Sequence, residues 1–597
     1  MPPRPAIKHA LAPASANRRL LVWYIFLILI ISIIGARLFY LQVIKHDYYR
    51  AAALSDQLKE YSIAPERGII QAQEAGGVVP LVLNQTLYTL YADPTFVKNA
   101  SVDSQKIAGL IGGDVANYQA LMKTKNTRYV ILAKKLSADQ SQKLSNLKLP
   151  GIGTQPLDYR TYPQGTLASQ LLGFVDNDGI GKYGIEQDLN AELAGKPGEL
   201  KAITDASGIP LAASRDNIQI DPKNGDNILL GLDLGMQAQM EKILAAEYKS
   251  TKSQGLSAVI INPNNGQVKA MANYPTYDPS NYASVTDQKL FQNAVVDNAI
   301  EPGSTMKNLT TAAALDQGVI QPNTTFYDPA HWVVDGFNIT DIEEDGGAGT
   351  KSIGDILNLS LNTGATWMLM QMGGGQINAQ ARTRWHDYMV NNFQLGKPTG
   401  IEQGYESAGY VPSPTSGYGL DLTYANTAFG QALTLTALQM SAALSSVLNG
   451  GTYYQPHLVD SVTDSTGRVT VKKSVIVKKN VVKPAVGTEI QSLMEYVVAQ
   501  HLSPGGFSYL NFPSNYSVGG KTGTAQLANP AGGYYADKFN GTYAGFVGGD
   551  SPQYVIVVFN TQPGVAGYAG SYGGQPVFAD LAHMLINGGY VTPKTGS

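Results

Sequence analysis

Leu20 to Ala36 reads LLVWYIFLILIISIIGA, seventeen residues without a charge, and after Arg37 the apolar run resumes with Leu38-Phe-Tyr-Leu41. Arg37 can snorkel to an interface, so Leu20–Val43 is long enough to cross a hydrocarbon core of ~30 Å. Soluble folds rarely bury so long an uncharged stretch. A cleaved leader fits less well. The run is too long for an h-region, and the small triplet Ala51-Ala52-Ala53 lies beyond Arg37, Lys45 and Arg50. The segment therefore reads as an uncleaved signal anchor of a single-pass protein of the cytoplasmic membrane. Arg4, Lys8, Arg18 and Arg19 precede it without an acid, whereas Lys45, Asp47 and Arg50 follow it. That asymmetry places the N-terminus inside and the bulk of the chain outside.

The 597 residues exceed one compact domain, and ~150 residues per domain gives two to four units. Charge is nearly balanced, 43 Lys+Arg against 46 Asp+Glu. Without a basic excess to neutralise phosphates, nucleic acid is not an expected partner. There is no cysteine, which excludes disulfides, thiol nucleophiles, Cys-ligated zinc and iron–sulfur clusters. An extracytoplasmic chain without cysteine also points to a bacterial envelope. The seven histidines never fall within one helical turn of each other, so HExxH is impossible; no metal and no cofactor are expected. Abundant Gly and Tyr with few charges suit an α/β or α+β protein and not a disordered one.

Residues 44–220 carry short, polar-bounded pieces, among them Lys134–Lys148, which reads as a charged amphipathic helix ending at Pro150. Asp221-Pro-Lys-Asn-Gly-Asp226 is a turn-rich boundary. Beyond it, Leu256–Ile261 and Gln267–Met271 flank Asn262-Pro-Asn-Asn-Gly266 as strand, turn and returning strand. Tyr516–Gln526, Thr542–Val547 and Tyr554–Asn560 read as three more strands. Between these β-rich ends lies a mainly helical middle that includes Thr434–Leu448. The expected fold is α+β, an antiparallel sheet packed with helices.

Three short patterns carry chemistry: Ser304-Thr-Met-Lys307, Ser360-Leu-Asn362 and Lys521-Thr-Gly523. Each alone is weak, and second copies exist at Ser145-Asn-Leu-Lys148, Ser15-Ala-Asn17 and Lys594-Thr-Gly596. Context separates them. Ser145 sits on the charged amphipathic stretch, Ser15 in the tail before the apolar run, and Lys594 has no strand to hold it. Glu301-Pro-Gly303 supplies a turn into a helix that Ser304 would start, with Lys307 one turn later on the same face. A serine needs an adjacent base to become a nucleophile, and with no histidine in place a buried lysine can take the proton. Ser360 can pass that proton to the leaving group, while Asn362 can orient Lys307 and a substrate amide. Lys521 and Thr522 can meet a substrate carboxylate, and small Gly523 lets a peptide lie along the strand. The backbone N–H groups of Ser304 and Thr524 could form an oxyanion hole.

The set resembles that of the penicillin-binding proteins and serine β-lactamases, whose signature is S-x-x-K, S-x-N or S-D-N, and K-T-G. The whole chain resembles the class B penicillin-binding proteins. Glu301-Pro-Gly-Ser-Thr-Met-Lys307, Ala428-Phe-Gly-Gln431, Lys521-Thr-Gly-Thr-Ala-Gln526 and Gly573-Gly-Gln-Pro-Val-Phe578 support this. In the first half Arg67-Gly-Ile-Ile70, Arg160-Thr-Tyr-Pro-Gln-Gly165 and Gly181-Lys-Tyr-Gly-Ile-Glu186 are similar to the family's pedestal motifs. One departure stands out. Where the family follows R-G-x-I with an acidic residue and soon Asn-Gly, this chain has Gln71-Ala-Gln-Glu-Ala75 before Gly76-Gly77. The resemblance implies a cytoplasmic tail over 1–19, an anchor over 20–43, a pedestal over 44–222 and a transpeptidase domain over 223–590. It also implies a D,D-transpeptidase of peptidoglycan synthesis, acting on stem peptides of lipid-linked precursor glycan strands and acylated by β-lactam antibiotics. The donor would end in D-Ala-D-Ala, its carboxylate held by Lys521, Thr522 and Thr524, and a membrane glycan polymerase would be the partner. Division is favoured over elongation.

Rival functions are separable. A class A β-lactamase needs E-x-x-L-N downstream of the nucleophile; the literal match here, Glu186-Gln-Asp-Leu-Asn190, lies upstream, in the other domain. A sensor would need further membrane segments or a cytoplasmic signalling region, and nineteen N-terminal residues leave no room. A bifunctional enzyme needs a glycosyltransferase region, and none is visible. A D,D-carboxypeptidase is the nearest rival, and a non-catalytic scaffold is disfavoured because every catalytic residue type is present.

Overall fold

The computed structural model describes residues 14–203, 218–341, 347–502 and 506–596. Most of the expected cytoplasmic tail, residues 1–13, lies outside the described residues. The chain condenses into two units, Met1–Pro65 with Lys196–Lys223, and Glu66–Gly195 with Asn224–Ser597.

In the first unit, helix α1 (Ala14–Phe39) runs on through a π-helical turn, Tyr40–Ile44. Together, Arg18–Ile44 are 27 residues, long and apolar enough to cross a membrane, with none of their side chains buried in protein. The Arg37 guanidinium lies 5.6 Å from the centre of the Tyr40 ring, its charge carried toward the end of the apolar run. A helix, His46–Gln57, leads into a three-stranded antiparallel sheet of Leu58–Ile63, Gly198–Ile203 and Ile218–Ile220.

The second unit begins with strands β1 (Ile70–Glu74), β2 (Gly77–Ala92), β3 (Val130–Leu136) and β4 (Ile152–Thr161). β1 and β2 pair antiparallel with Glu74 opposite Gly77, so the departure from the family pattern is the end of a hairpin with Ala75-Gly76 at its turn. β2 carries both β3 and β4. The helix expected over Lys134–Lys148 is a correction: Lys134 to Leu136 close β3, and the helix spans Ala138–Asn146. Ser137 decides the boundary. Its hydroxyl accepts the Gln140 N–H at 3.1 Å while the Gln140 side chain accepts the Ser137 N–H at 2.9 Å, a reciprocal cap that starts a helix at residue 138.

Strand β5 (Asn227–Asp233) lies parallel to β1, and Asp233 then caps helix α2 (Leu234–Ser250), accepting the Met236 N–H at 2.9 Å. Next come β6 (Gly255–Ile261), β7 (Val268–Tyr274), and the helices α3 (Lys307–Asp316), α4 (Asn362–Met372) and α5 (Ala437–Leu448). The expected start of α5 at Thr434 moves to Ala437. Thr434 and Leu435 exchange backbone bonds with Tyr410 and Ile300, and Thr436 with Gln439 forms the capping box. β8 (Val459–Thr463) and β9 (Val469–Val471) extend the first sheet in the order β9-β8-β5-β1-β2-β3.

Helix α6 (Pro484–His501), strands β10 (Ser517–Ala528), β11 (Tyr534–Gly548) and β12 (Pro552–Thr561), and helix α7 (Gln575–Asn587) complete the unit. The functional sheet is five-stranded and antiparallel, β7-β6-β12-β11-β10. Alternation sorts its residues between two cores. Val555, Val557 and Phe559 pack with Leu309, Leu369, Leu444 and Met494 on one face. Ile556 and Val558 pack with Met240, Leu244, Phe578 and Leu585 on the other. The expected α+β sheet with helical layers is what forms. β10 is left as an edge strand, and the site is built along it.

Candidate active site

The chain enters the site through Gly303, which has φ +59° and donates its N–H to the Gly430 carbonyl at 3.0 Å. A Cβ at Gly303 would stand 2.8 Å from the Thr524 carbonyl oxygen, so only glycine brings the Ser304 turn this close to β10. Gly303–Met306 form a 3₁₀ turn, and α3 begins at Lys307. Ser304 therefore precedes the α-helix instead of opening it, a correction that the left-handed Gly303 accounts for. Ser304 is half-buried between fully buried neighbours, which leaves it accessible on a rigid turn.

Lys307 is completely buried. Its Nζ donates to Asn362 Oδ1 at 2.9 Å and to Ser360 Oγ at 3.3 Å, and also to the Ser360 carbonyl. Ser360 sits at φ +61°, a left-handed conformation that aligns its carbonyl and hydroxyl with the same amine. From the other wall Lys521, also buried, donates to Ser360 Oγ at 3.0 Å and to the Thr522 carbonyl at 3.2 Å, with Thr522 Oγ1 at 3.4 Å. The Ser360 hydroxyl thus lies between two lysines from different motifs. Along β10 burial alternates: Lys521 and Gly523 are buried, Thr522 and Thr524 half-exposed. A side chain at Gly523 would meet the Thr542 hydroxyl at 2.2 Å and the Pro302 carbonyl at 2.5 Å. Thr524 Oγ1 accepts the Gly570 N–H at 2.9 Å, leaving its own hydrogen to donate elsewhere.

All eight expected residues are brought to one place. Lys307, Ser360, Asn362, Lys521 and Thr522 share direct bonds, and Ser304, Gly523 and Thr524 meet where the Gly303 turn rests on β10.

Sequence reasoning assigned no part to Asp341, Tyr534 and His501, and gave Glu301 only a place in the turn before Ser304. Asp341 accepts the backbone N–H of Asn362 at 2.5 Å and of Thr363 at 3.0 Å, and so fixes the first turn of α4 that carries Asn362. Burial pushes the Asp341 carboxyl up, against the bonds from Thr363 and the charge of Lys307. Glu301 Oε1 accepts from the Ala432 N–H at 2.8 Å and the Tyr534 hydroxyl at 2.9 Å, tying the turn before Ser304 to β11. Burial raises its carboxyl too. His501 at the end of α6 is lowered to about 4, first by burial and then by Lys521. Glu301 was visible inside its motif; the other three had no local signal.

The upstream E-x-x-L-N match has a structural reason. Glu186, fully buried, takes Arg67 Nε at 2.8 Å through Oε2 and Arg160 Nε at 2.7 Å through Oε1, and Asn190 Oδ1 accepts from Arg67 at 2.9 Å. The three pedestal motifs meet in this cluster.

A sheet between two helical layers, with S-x-x-K, S-x-N and K-T-G converging on one hydroxyl, defines the class that penicillin-binding proteins share with serine β-lactamases. Solved structures share the fold: penicillin binding protein 2X from Streptococcus thermophilus has a TM-score of 0.70 at 23% identity, covering 89% of this chain and 80% of that one. Penicillin binding protein 3 of Mycobacterium tuberculosis, complexed with aztreonam, gives 0.66 at 23%, covering 89% and 97%. Residues 62–230 match the penicillin-binding protein dimerisation domain, and residues 256–583 the penicillin binding protein transpeptidase domain. Stage V sporulation protein D of Bacillus subtilis is 30% identical over 553 residues, 92% of this chain and 82% of that protein. Peptidoglycan D,D-transpeptidase FtsI of Escherichia coli is 26% identical over 571 residues, 93% and 89% of the two chains. The chain belongs to the penicillin-binding protein family, with the class B pairing of a dimerisation domain and a transpeptidase domain.

Proposed function

We propose that this protein is a peptidoglycan D,D-transpeptidase that works through an acyl-enzyme on Ser304. The observation that carries the reading is the Ser360 hydroxyl held by Lys307 at 3.3 Å and Lys521 at 3.0 Å, one shared proton relay from three separated motifs. Lys307 takes the Ser304 proton as the hydroxyl attacks the carbonyl of the penultimate D-Ala, and the negative oxygen is met by the N–H groups of Ser304 and Thr524. Ser360 returns a proton to the departing D-Ala amine. Asn362 orients Lys307 and the donor amide; Lys521, Thr522 and Thr524 hold the terminal carboxylate, and Gly523 makes room for the Pro302 carbonyl and so seats the Ser304 turn on β10. An amine of a neighbouring stem peptide then takes the acyl group, and Ser304 regains its proton.

β-Lactams enter by the same attack, with no amine leaving, and so remain attached. The apolar helix anchors the chain with its N-terminus inside and residues 44–222, the pedestal, holding the catalytic domain 223–590 outside the membrane. A membrane glycan polymerase supplies the lipid-linked strands. No base for water is supplied by Glu186, which its two arginines occupy in the pedestal.

Intact-protein mass spectrometry after incubation with a penicillin tests the reading. One adduct should form, map to the Ser304 peptide and vanish in Ser304→Ala. Labelling that survives the substitution, or maps to Ser145, overturns the assignment. With a D-Ala-D-Ala donor, added amine acceptor should divert product from hydrolysis to crosslink; D-Ala release by water alone, undiminished by acceptor, would make the protein a carboxypeptidase.

A further inference from the structure

Away from the Ser304 site, a cavity of about 350 Å³ opens where the Gly181–Glu186 motif faces the transpeptidase segments around Phe291 and Tyr405. The inner face of that motif holds Arg67 and Arg160 through Glu186, but its outer face, Tyr183 and Gln187, lines this cavity. Of the wall amides, Gln292 is exposed and the others are already engaged. Gln187 accepts the Tyr183 N–H at 2.8 Å and donates to the Gly404 carbonyl at 3.1 Å. Gln403 accepts from Asn293 at 2.9 Å and donates to the Leu171 carbonyl at 3.1 Å. Aromatic surface remains at half-buried Tyr183 and at Tyr405, 63% exposed at the mouth, whereas Phe291 is packed among Tyr183, Phe174 and Tyr277.

Two charged residues line the space. Lys182 is paired with Asp176 at 3.4 Å. Asp297 has no ion pair among the described residues, and burial without an offsetting cation lifts its carboxyl above the ordinary range. A cavity of aromatic faces with one uncompensated carboxylate is complementary to a positive head on an aliphatic stem. A single carboxylate with one exposed amide is a poor set for a divalent cation, which asks for several oxygens.

We propose that this cavity binds a primary alkylammonium group, its charge against Asp297 and its methylene stem over Tyr183 and Tyr405. The group could be borne by a free diamine or by a diamino acid within a peptide, and the two differ only beyond the stem. Ligand-observed NMR titration of the detergent-solubilised full chain tests this with cadaverine, Nα-acetyl-L-lysine amide and, as the uncharged control, pentan-1-ol. Cadaverine should bind with Kd of ~1 mM, pentan-1-ol at least ~10-fold more weakly. Binding of the lysine amide as well assigns a peptide-borne amine, and binding of cadaverine alone a free one. Asp297→Asn should weaken cadaverine at least ~10-fold, and Tyr405→Ala, at an exposed position where folding is not at stake, at least ~3-fold. Equal affinity for pentan-1-ol and cadaverine, or unchanged cadaverine affinity in both variants, would overturn the site.

Discussion

Two buried polar clusters of this molecule handle charge in opposite ways. In the pedestal, Arg67 and Arg160 close on Glu186, with guanidinium–carboxylate distances of 2.5 and 2.7 Å. Guanidinium groups stay protonated at any accessible pH, and their forks fix orientation as well as charge. At the candidate active site, Lys307 and Lys521 close instead on a neutral hydroxyl, at 3.3 and 3.0 Å. Amines and hydroxyls can exchange protons with each other and with a substrate; guanidinium groups cannot. Arginine serves where the protonation state must never change, and Lys307, the proposed base, is the residue whose state must. The first cluster should answer to mutation in stability, the second in rate.

The largest expected effect tests the locked cluster. Glu186→Ala strands two buried guanidinium groups and should cost ~3–5 kcal/mol of stability, read by chemical denaturation of the solubilised chain. Penicillin acylation of the molecules that stay folded should change less than ~3-fold, whereas a loss of rate without a loss of stability would break the contrast. Lys307→Arg comes next. It keeps the charge but cannot serve as a base, so stopped-flow acylation should slow at least ~10²-fold, about 2.7 kcal/mol of barrier. Near-normal rates would move the base elsewhere.

A smaller effect belongs to His501, which titrates at 6.5 when unfolded and at about 4 in place, through burial and then Lys521. The unfolded chain binds the proton first as pH falls. Stability from this group is therefore full above pH ~6.5 and is lost down to ~4, about 3 kcal/mol in all. Replacing Lys521 by Met should raise the His501 midpoint, followed by NMR; an unmoved midpoint would separate the histidine from the site's charge. Least of all, Tyr534→Phe removes one bond to Glu301 and should cost ~1 kcal/mol in a denaturation midpoint.

The site was legible where chemistry follows local spacing. Ser304 and Lys307 share a turn, Ser360 and Asn362 flank one helix start, and Lys521 to Thr524 lie on one strand, so each piece announces itself. What joins the pieces was not legible. Asp341 reaches Asn362 across 21 residues, and Tyr534 reaches Glu301 across 233, with nothing in either neighbourhood to mark the partner. The pedestal motifs were recognisable as text, but their convergence on Glu186 depends on strand pairing that sequence does not print. The α+β sheet with its helical layers followed from strand-like segments near both ends of the later half and a helical middle between them. The misread helix over Lys134–Lys148 came from taking charge as the signal and passing over Ser137 and Gln140, whose three-residue spacing marks where a helix can begin.

Ser360 at φ +61° has a consequence for how such a protein changes over generations. A side chain in that conformation costs ~1 kcal/mol that a glycine would not. Glycine at 360 would relieve that strain, yet it would also take the hydroxyl from two buried lysines, and a bond to a charged group is worth ~1.5–3 kcal/mol. The backbone of this residue and its side chain therefore pull the lineage in opposite directions, and the side chain wins.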